Sequence, residues 1–117
     1  MKWGQNYQDS IVTDRPSDQR DQAKQDVWQI VFSIPEGKVA TYGQIARLAG
    51  MPAKSRLVGK ILSQLPPGTK LPWHRVINSA GKITNPNAGA QIERLQDEGI
   101  TPIHGKVSLK LYQWQTD

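Results

Sequence analysis

The chain of 117 residues contains no cysteine. That absence excludes a disulfide framework, a thiolate metal site and a thiol nucleophile. Aromatics are few, and Phe32 is the only phenylalanine. No apolar run reaches the roughly 20 residues that cross a bilayer. The polar N-terminus has no signal-peptide core. A soluble cytoplasmic protein is therefore expected, without a membrane partner. No grouping of His, Asp and Glu suggests a metal, and no cofactor is expected. The length suits one domain with a modest core.

Acid is the other shortage. Between Glu36 and Glu93 there is no Asp or Glu, while Lys38, Arg47, Lys54, Arg56, Lys60, Lys70, Arg75 and Lys82 fall in that stretch. The formal net charge is +5. A surface of one sign attracts polyanions, and nucleic acid is the natural one. Charge alone leaves a generically basic surface equally open. Residues 1–26 differ, with Lys2, Arg15, Arg20 and Lys24 set against Asp9, Asp14, Asp18, Asp21 and Asp26. Residues 1–20 are rich in Gln, Asp, Ser and Asn, which predicts a flexible polar tail ahead of a domain over 21–117.

What is present falls into short periodic segments. Val27, Ile30, Val31 and Ile34 keep the spacing of a buried helix face. They predict a helix from Ser17 or Asp21 to Ile34, stopped by Pro35-Glu36-Gly37. Thr41-Tyr42-Gly43-Gln44 fits a capping box, with Thr41 as N-cap and Gln44 reaching back. Ile45, Ala46, Leu48 and Ala49 would face inward, and Gly50 would end the helix. A further helix starts near Ala53 to Ser55. It carries Leu57, Val58, Ile61, Leu62 and Leu65 on one face and Arg56 and Lys60 on another.

A short helix, a turn and a basic second helix make a helix-turn-helix, although an ordinary αα-hairpin has the same pattern. Gly59 inside the second helix costs about 1 kcal/mol relative to alanine. A close approach by another helix or by DNA would account for it. Asn78-Ser79-Ala80-Gly81 predicts a turn between two short strands. A helix is expected from Ala88 to Glu98, ending at Gly99. Val107, Leu109 and Leu111 alternate with Ser108 and Lys110, as in a strand or wing. The expected class is α+β and mostly helical, a winged helix-turn-helix with a small β-hairpin.

Five separated segments resemble the C-terminal domain of the O6-alkylguanine-DNA alkyltransferases. They are Ile34-Pro35-Glu36-Gly37-Lys38-Val39, Thr41-Tyr42-Gly43-Gln44-Ile45-Ala46, Ser55-Arg56-Leu57-Val58-Gly59, Pro72-Trp73-His74-Arg75-Val76-Ile77 and Leu95-Gln96-Asp97-Glu98-Gly99. The likeness spans Val27 to Trp114, and the order and spacing make it specific. In those enzymes a cysteine stands where Trp73 stands here. An indole cannot accept an alkyl group, because covalent capture needs an activated nucleophile such as a thiolate. The tryptophan and the ending Leu109-Lys110-Leu111-Tyr112-Gln113-Trp114 are closer still to the alkyltransferase-like proteins, which bind the lesion without repairing it.

The resemblance implies roles. Ser55, Arg56, Gly59 and Lys60 would lie on a recognition helix in the minor groove, with Arg56 replacing the extruded guanine in the stack. A planar guanidinium stacks well on bases, whereas without the likeness Arg56 is a solvated charge or a phosphate contact. Tyr42 would crowd a phosphate to promote rotation and line the base pocket, or else be a core tyrosine. Trp73, Val76 and Asn87 would complete that pocket. His74 and Glu98 correspond to the relay that activates the absent cysteine, which leaves them a structural part, with Arg75 supporting the segment through Glu98 or the DNA backbone.

Two segments depart from the family pattern. Gln64-Leu65-Pro66-Pro67-Gly68 replaces an Asn-Pro-rich hinge, and Pro86 stands where a loop tyrosine is usual. The resulting expectation is a monomeric, non-enzymatic binder of O6-alkylguanine in double-stranded DNA. It would be nucleoid-associated when bound and would flag lesions for nucleotide excision repair. The alternative is a winged-helix regulator without a lesion pocket.

Overall fold

The computed structural model describes residues 16–116, with side chains described from Asp21 onward. Of the tail expected over residues 1–20, residues 1–15 lie outside the described residues, and residues 16–20 are helical instead and continue into the domain. Helix α1 spans Pro16–Phe32. It buries Val27 and Val31, and Ile34 follows on the same side, fully enclosed beyond the last turn. Strand β1, Ala40–Thr41, leads directly into helix α2, Tyr42–Leu48. Helix α3 is Ser55–Ser63. A 3-10 turn at Trp73–Arg75 precedes strand β2, Val76–Ile77. Helix α4 is Ala88–Asp97, and a single-turn helix, α5, covers Leu109–Tyr112.

The sheet is a parallel pair in which Ala40 faces Val76 and Thr41 faces Ile77. Two apolar clusters meet at this pair. One joins Val27, Val31 and Ile34 to Ala40, Ile45, Ala46, Val58, Ile61 and Val76. The other gathers Val39, Ile77, Leu95, Ile100 and Val107. The first holds the α2–α3 unit on α1, and the second holds α4 and the C-terminal segment. No helix among the described residues is long and apolar enough to cross a membrane.

The mostly helical class stands, and four local expectations change. Thr41 Oγ1 does accept from the Gln44 N–H at 3.0 Å. The Gln44 side chain, however, turns away from the cap and donates to the Trp114 carbonyl at 2.7 Å. Gln113 Nε2 donates to its Oε1 at 2.9 Å, so Gln44 anchors the C-terminal segment instead. α1 ends at Phe32, two residues short of the expected Ile34.

The turn at Asn78–Gly81 is present, held by Asn78 Oδ1 accepting from the Ala80 and Lys82 N–H groups. Its flanks do not form a two-stranded hairpin, because β2 pairs with β1 instead. The tight hairpin lies at Ile103–Lys106, with both backbone bonds formed around His104 at φ 53° and Gly105 at φ 73°. Two successive positive φ values match the twist a two-residue loop needs. Leu109 and Leu111 belong to α5 rather than to a strand. Ser108 Oγ caps that turn by accepting from the Leu111 N–H at 3.3 Å, and Leu111 is 66% exposed.

Candidate nucleic-acid interface and pocket

The α2–α3 pair is built as a helix-turn-helix. Gly50 leaves α2 with φ 76° and lets the chain turn sharply into Met51. α3 faces the core through Val58 and Ile61 and leaves Ser55, Arg56 and Lys60 exposed. Its first turn carries no acid, and Lys54 at the cap supplies no side-chain acceptor. Both features favour an approaching anion at that end of the helix dipole.

Tyr42 is half-buried at the start of α2, and burial raises its phenol above the ordinary value, so it stays neutral. Its ring rests on Gly59, where a built Cβ would sit 3.8 Å from the ring. That is ordinary van der Waals contact. Packing within the protein therefore does not require glycine at 59.

Behind the α2–α3 pair lies a cavity of about 630 Å³. Its walls are Tyr42, Gly59, Leu62 and Ser63 on one side, the Leu65–Thr69 turn, Trp73, the Thr84–Asn87 loop, and Ala90 with Arg94 on α4. Of the residues expected to line a pocket, Tyr42, Trp73 and Asn87 do so. Val76 does not: it is 1% exposed and packs into the core behind the wall. Its strand pairing with Ala40 turns it inward, which single-sequence reasoning could not see.

The 3-10 turn divides its residues between pocket and interior. Trp73 faces the cavity, and His74 meets it edge-on with planes at 88°. His74 Nε2 lies 2.6 Å from Glu98 Oε2. Arg75 donates from Nε to both Glu98 oxygens, at 2.9 and 3.0 Å, and from Nη2 to Oε2 at 2.8 Å. Its Nη1 donates to the Ile34 carbonyl at 2.7 Å. The Gly37 N–H donates to Glu98 Oε1 at 2.9 Å. One carboxylate thus ties the end of α4 to the 3-10 turn and to the loop after α1.

Burial alone would raise the Glu98 carboxyl. The bonds from Arg75, Gly37 and His74 outweigh it and hold the group at about 2. Burial lowers His74, and the nearby Arg75 and Arg94 add to that, so the attraction of Glu98 does not keep the ring charged. A neutral imidazole therefore donates Nε2–H to Glu98. Among the described residues its buried Nδ1 has no partner. Its chain neighbour at position 73 is tryptophan, whose side chain is not a nucleophile. Arg75 supports the segment through Glu98 and Ile34.

Two contributors escaped the sequence reading. Gln91 is 1% exposed and donates from Nε2 to the His74 and Val76 carbonyls at 3.1 and 3.0 Å. The only sequence signal is its place one helical turn before buried Leu95. Arg94 sits with its Cζ 5.5 Å from the Trp73 ring centroid. In the sequence it is one more charge on a helix. Among the described residues no cluster of three His, Asp or Glu could hold a metal.

A helix-turn-helix beside a cavity, backed by a His–Glu pair with no acceptor, defines a DNA-binding domain of alkyltransferase type. The chain belongs to the family of the 6-O-methylguanine DNA methyltransferase DNA binding domain, whose model matches residues 22–100. It is 42% identical over 112 residues to the DNA base-flipping protein of Escherichia coli strain K12, covering 93% of this chain and 87% of that one. It is 43% identical over 98 residues to Alkyltransferase-like protein 1 of Schizosaccharomyces pombe, covering 76% and 91% respectively. The crystal structure of S. pombe Atl1 with damaged DNA containing O6-carboxymethylguanine matches at a TM-score of 0.79 and 40% identity, over 82% of this chain and 97% of that one. Within the family, the chain stands with the alkyltransferase-like proteins.

Proposed function

We propose that this protein binds O6-alkylguanine in double-stranded DNA, flips the damaged nucleotide into the cavity beside Trp73, and leaves the alkyl group in place. The observation that carries this reading is Trp73 on the cavity wall, in the acceptor's position, in a chain without cysteine. An indole offers a face for stacking a base, worth roughly 1–3 kcal/mol, and no route to covalent transfer.

The exposed face of α3 enters the minor groove. Ser55 and Lys60 meet phosphates, and Arg56 fills the gap left by the flipped base. Flipping costs a few kcal/mol, which the stacked guanidinium offsets in part. Gly59 lets the DNA backbone come close. Tyr42 crowds the phosphate and closes one side of the pocket. A regulator reading a sequence in the groove would have no use for the cavity.

Titration of a duplex with and without one O6-methylguanine, at matched salt, tests this. Tighter binding of the lesion duplex is expected, and equal affinities would sink the reading. Arg56→Ala should lose most of the lesion preference, and an unchanged preference removes Arg56 from the finger role. The bound lesion is handed to the damage-recognition proteins of nucleotide excision repair, and the protein acts as a cytoplasmic monomer that joins the nucleoid on binding. Co-purification of such proteins should depend on lesion DNA.

A further inference from the structure

The cavity has a single charged wall. Among the described residues that line it, Arg94 alone carries a charge. α4 places it there: Ala90 and Arg94, four residues apart, face the cavity, while Gln91 and Leu95 face the core. The guanidinium is held over the Trp73 ring, with Cζ 5.5 Å from its centroid. An indole face attracts a cation at this distance.

Among the described residues Arg94 also has no acidic partner. The ion pairs among the described residues are His74–Glu98 and Arg75–Glu98. Neither Glu93 nor Asp97, its neighbours along the helix, reaches it. Its charge is felt within the site, since it helps lower His74.

Chemistry fixes where a substituent would lie. In an alkyltransferase the acceptor must touch the carbon attached to O6. Position 73 therefore marks the place of the O6 substituent in a flipped guanine, and Arg94 stands over position 73. We infer that Arg94 forms an anion subsite in the lesion pocket, which makes the protein prefer O6 substituents bearing a carboxylate over neutral ones of the same size. This rests on the lesion-binding reading above. A carboxylate on the substituent pairs with the guanidinium in a charge-assisted hydrogen bond, and a neutral substituent leaves that donor to water. Arg94 is exposed, so water and salt weaken the pair. The expected preference is about three- to tenfold in Kd.

The test uses four duplexes of one sequence, carrying guanine, O6-methylguanine, O6-carboxymethylguanine or O6-carbamoylmethylguanine. The last two have equal numbers of heavy atoms and differ in charge. The full chain and its Arg94→Gln and Arg94→Lys variants are titrated at fixed ionic strength, with thermal melts to confirm folding. A carboxymethyl preference in the unaltered chain that vanishes in Arg94→Gln and survives in part in Arg94→Lys is the expected result. Equal affinity for the carboxymethyl and carbamoylmethyl duplexes, with O6-methylguanine still preferred over guanine, overturns the subsite alone. A preference that persists in Arg94→Gln overturns it too, because the general positive field would then be its source. No preference for O6-methylguanine over guanine overturns the lesion reading and the subsite with it.

Discussion

A neutral His74 beside an ionised Glu98 follows from the surroundings of each. Glu98 has donors on three sides, from Arg75, Gly37 and His74. Among the described residues His74 has a partner on one nitrogen only, and its other nitrogen is buried without one. Removing the negative charge leaves the Arg75 guanidinium enclosed without its counter-ion. Glu98→Gln should therefore lower stability by about 2–4 kcal/mol in urea denaturation. Trp73 has a different kind of importance, because it is half-buried on a cavity wall rather than inside the core. Trp73→Ala should cost lesion-duplex affinity roughly 1–3 kcal/mol and change binding to undamaged duplex little. A parallel loss on both duplexes would show that the ring shapes the fold rather than the pocket.

At the scale of elements, packing at Gly59 can be told apart from the DNA contact proposed for it. A methyl group there meets Tyr42 at an ordinary 3.8 Å and replaces a poor helix former. Gly59→Ala should raise stability by up to about 1 kcal/mol while weakening DNA binding, as read by paired melting and titration experiments. Lower stability would mean that α2 and α3 approach more closely than that contact implies. The helix-turn-helix was legible in the sequence because its signals are local. Thr41 caps α2, Gly50 ends it, and the apolar spacing of α3 turns Val58 and Ile61 inward. Part of the candidate pocket was legible through its motifs: Tyr42, Trp73 and Asn87 do meet around one cavity. The pairing of Ala40–Thr41 with Val76–Ile77 was not, since partners so far apart in the chain leave no periodic trace. The same pairing hid the inward turn of Val76. Alternation at Val107, Leu109 and Leu111 suggested a strand, yet a serine cap and one turn of helix took its place. Arg94 over Trp73 arises from docking α4 against the 3-10 turn, which no local pattern encodes.

For the molecule as a whole, His74 and Glu98 both contribute to the response to acid. Below the ordinary histidine value of 6.5, the unfolded chain takes up a proton that folded His74 resists, so stability begins to fall. From the ordinary 4.5 down to about 2, Glu98 acts in the same direction: the unfolded carboxyl protonates while the folded one stays ionised. Its share, on the order of 3 kcal/mol, is present above the upper value and is lost on the way to the lower one. Melts should stay level from about pH 8 to near the ordinary histidine value and lose stability from there to about pH 3, with a flatter acid end in Glu98→Gln. An acid limb of unchanged slope in that variant would assign the loss to other carboxylates. The three-way grip of Glu98 also bears on how such a protein can change. A residue on the cavity wall is exchanged by altering one side chain, but the Glu98 network behind Trp73 joins α4, the 3-10 turn and the loop after α1. His74, Arg75 and Glu98 are thus shielded from drift by their mechanical duty. Substitution is freer in the Thr84–Asn87 loop on the cavity wall, whose Asn85 Oδ1 bond from the Asn87 N–H is purely local.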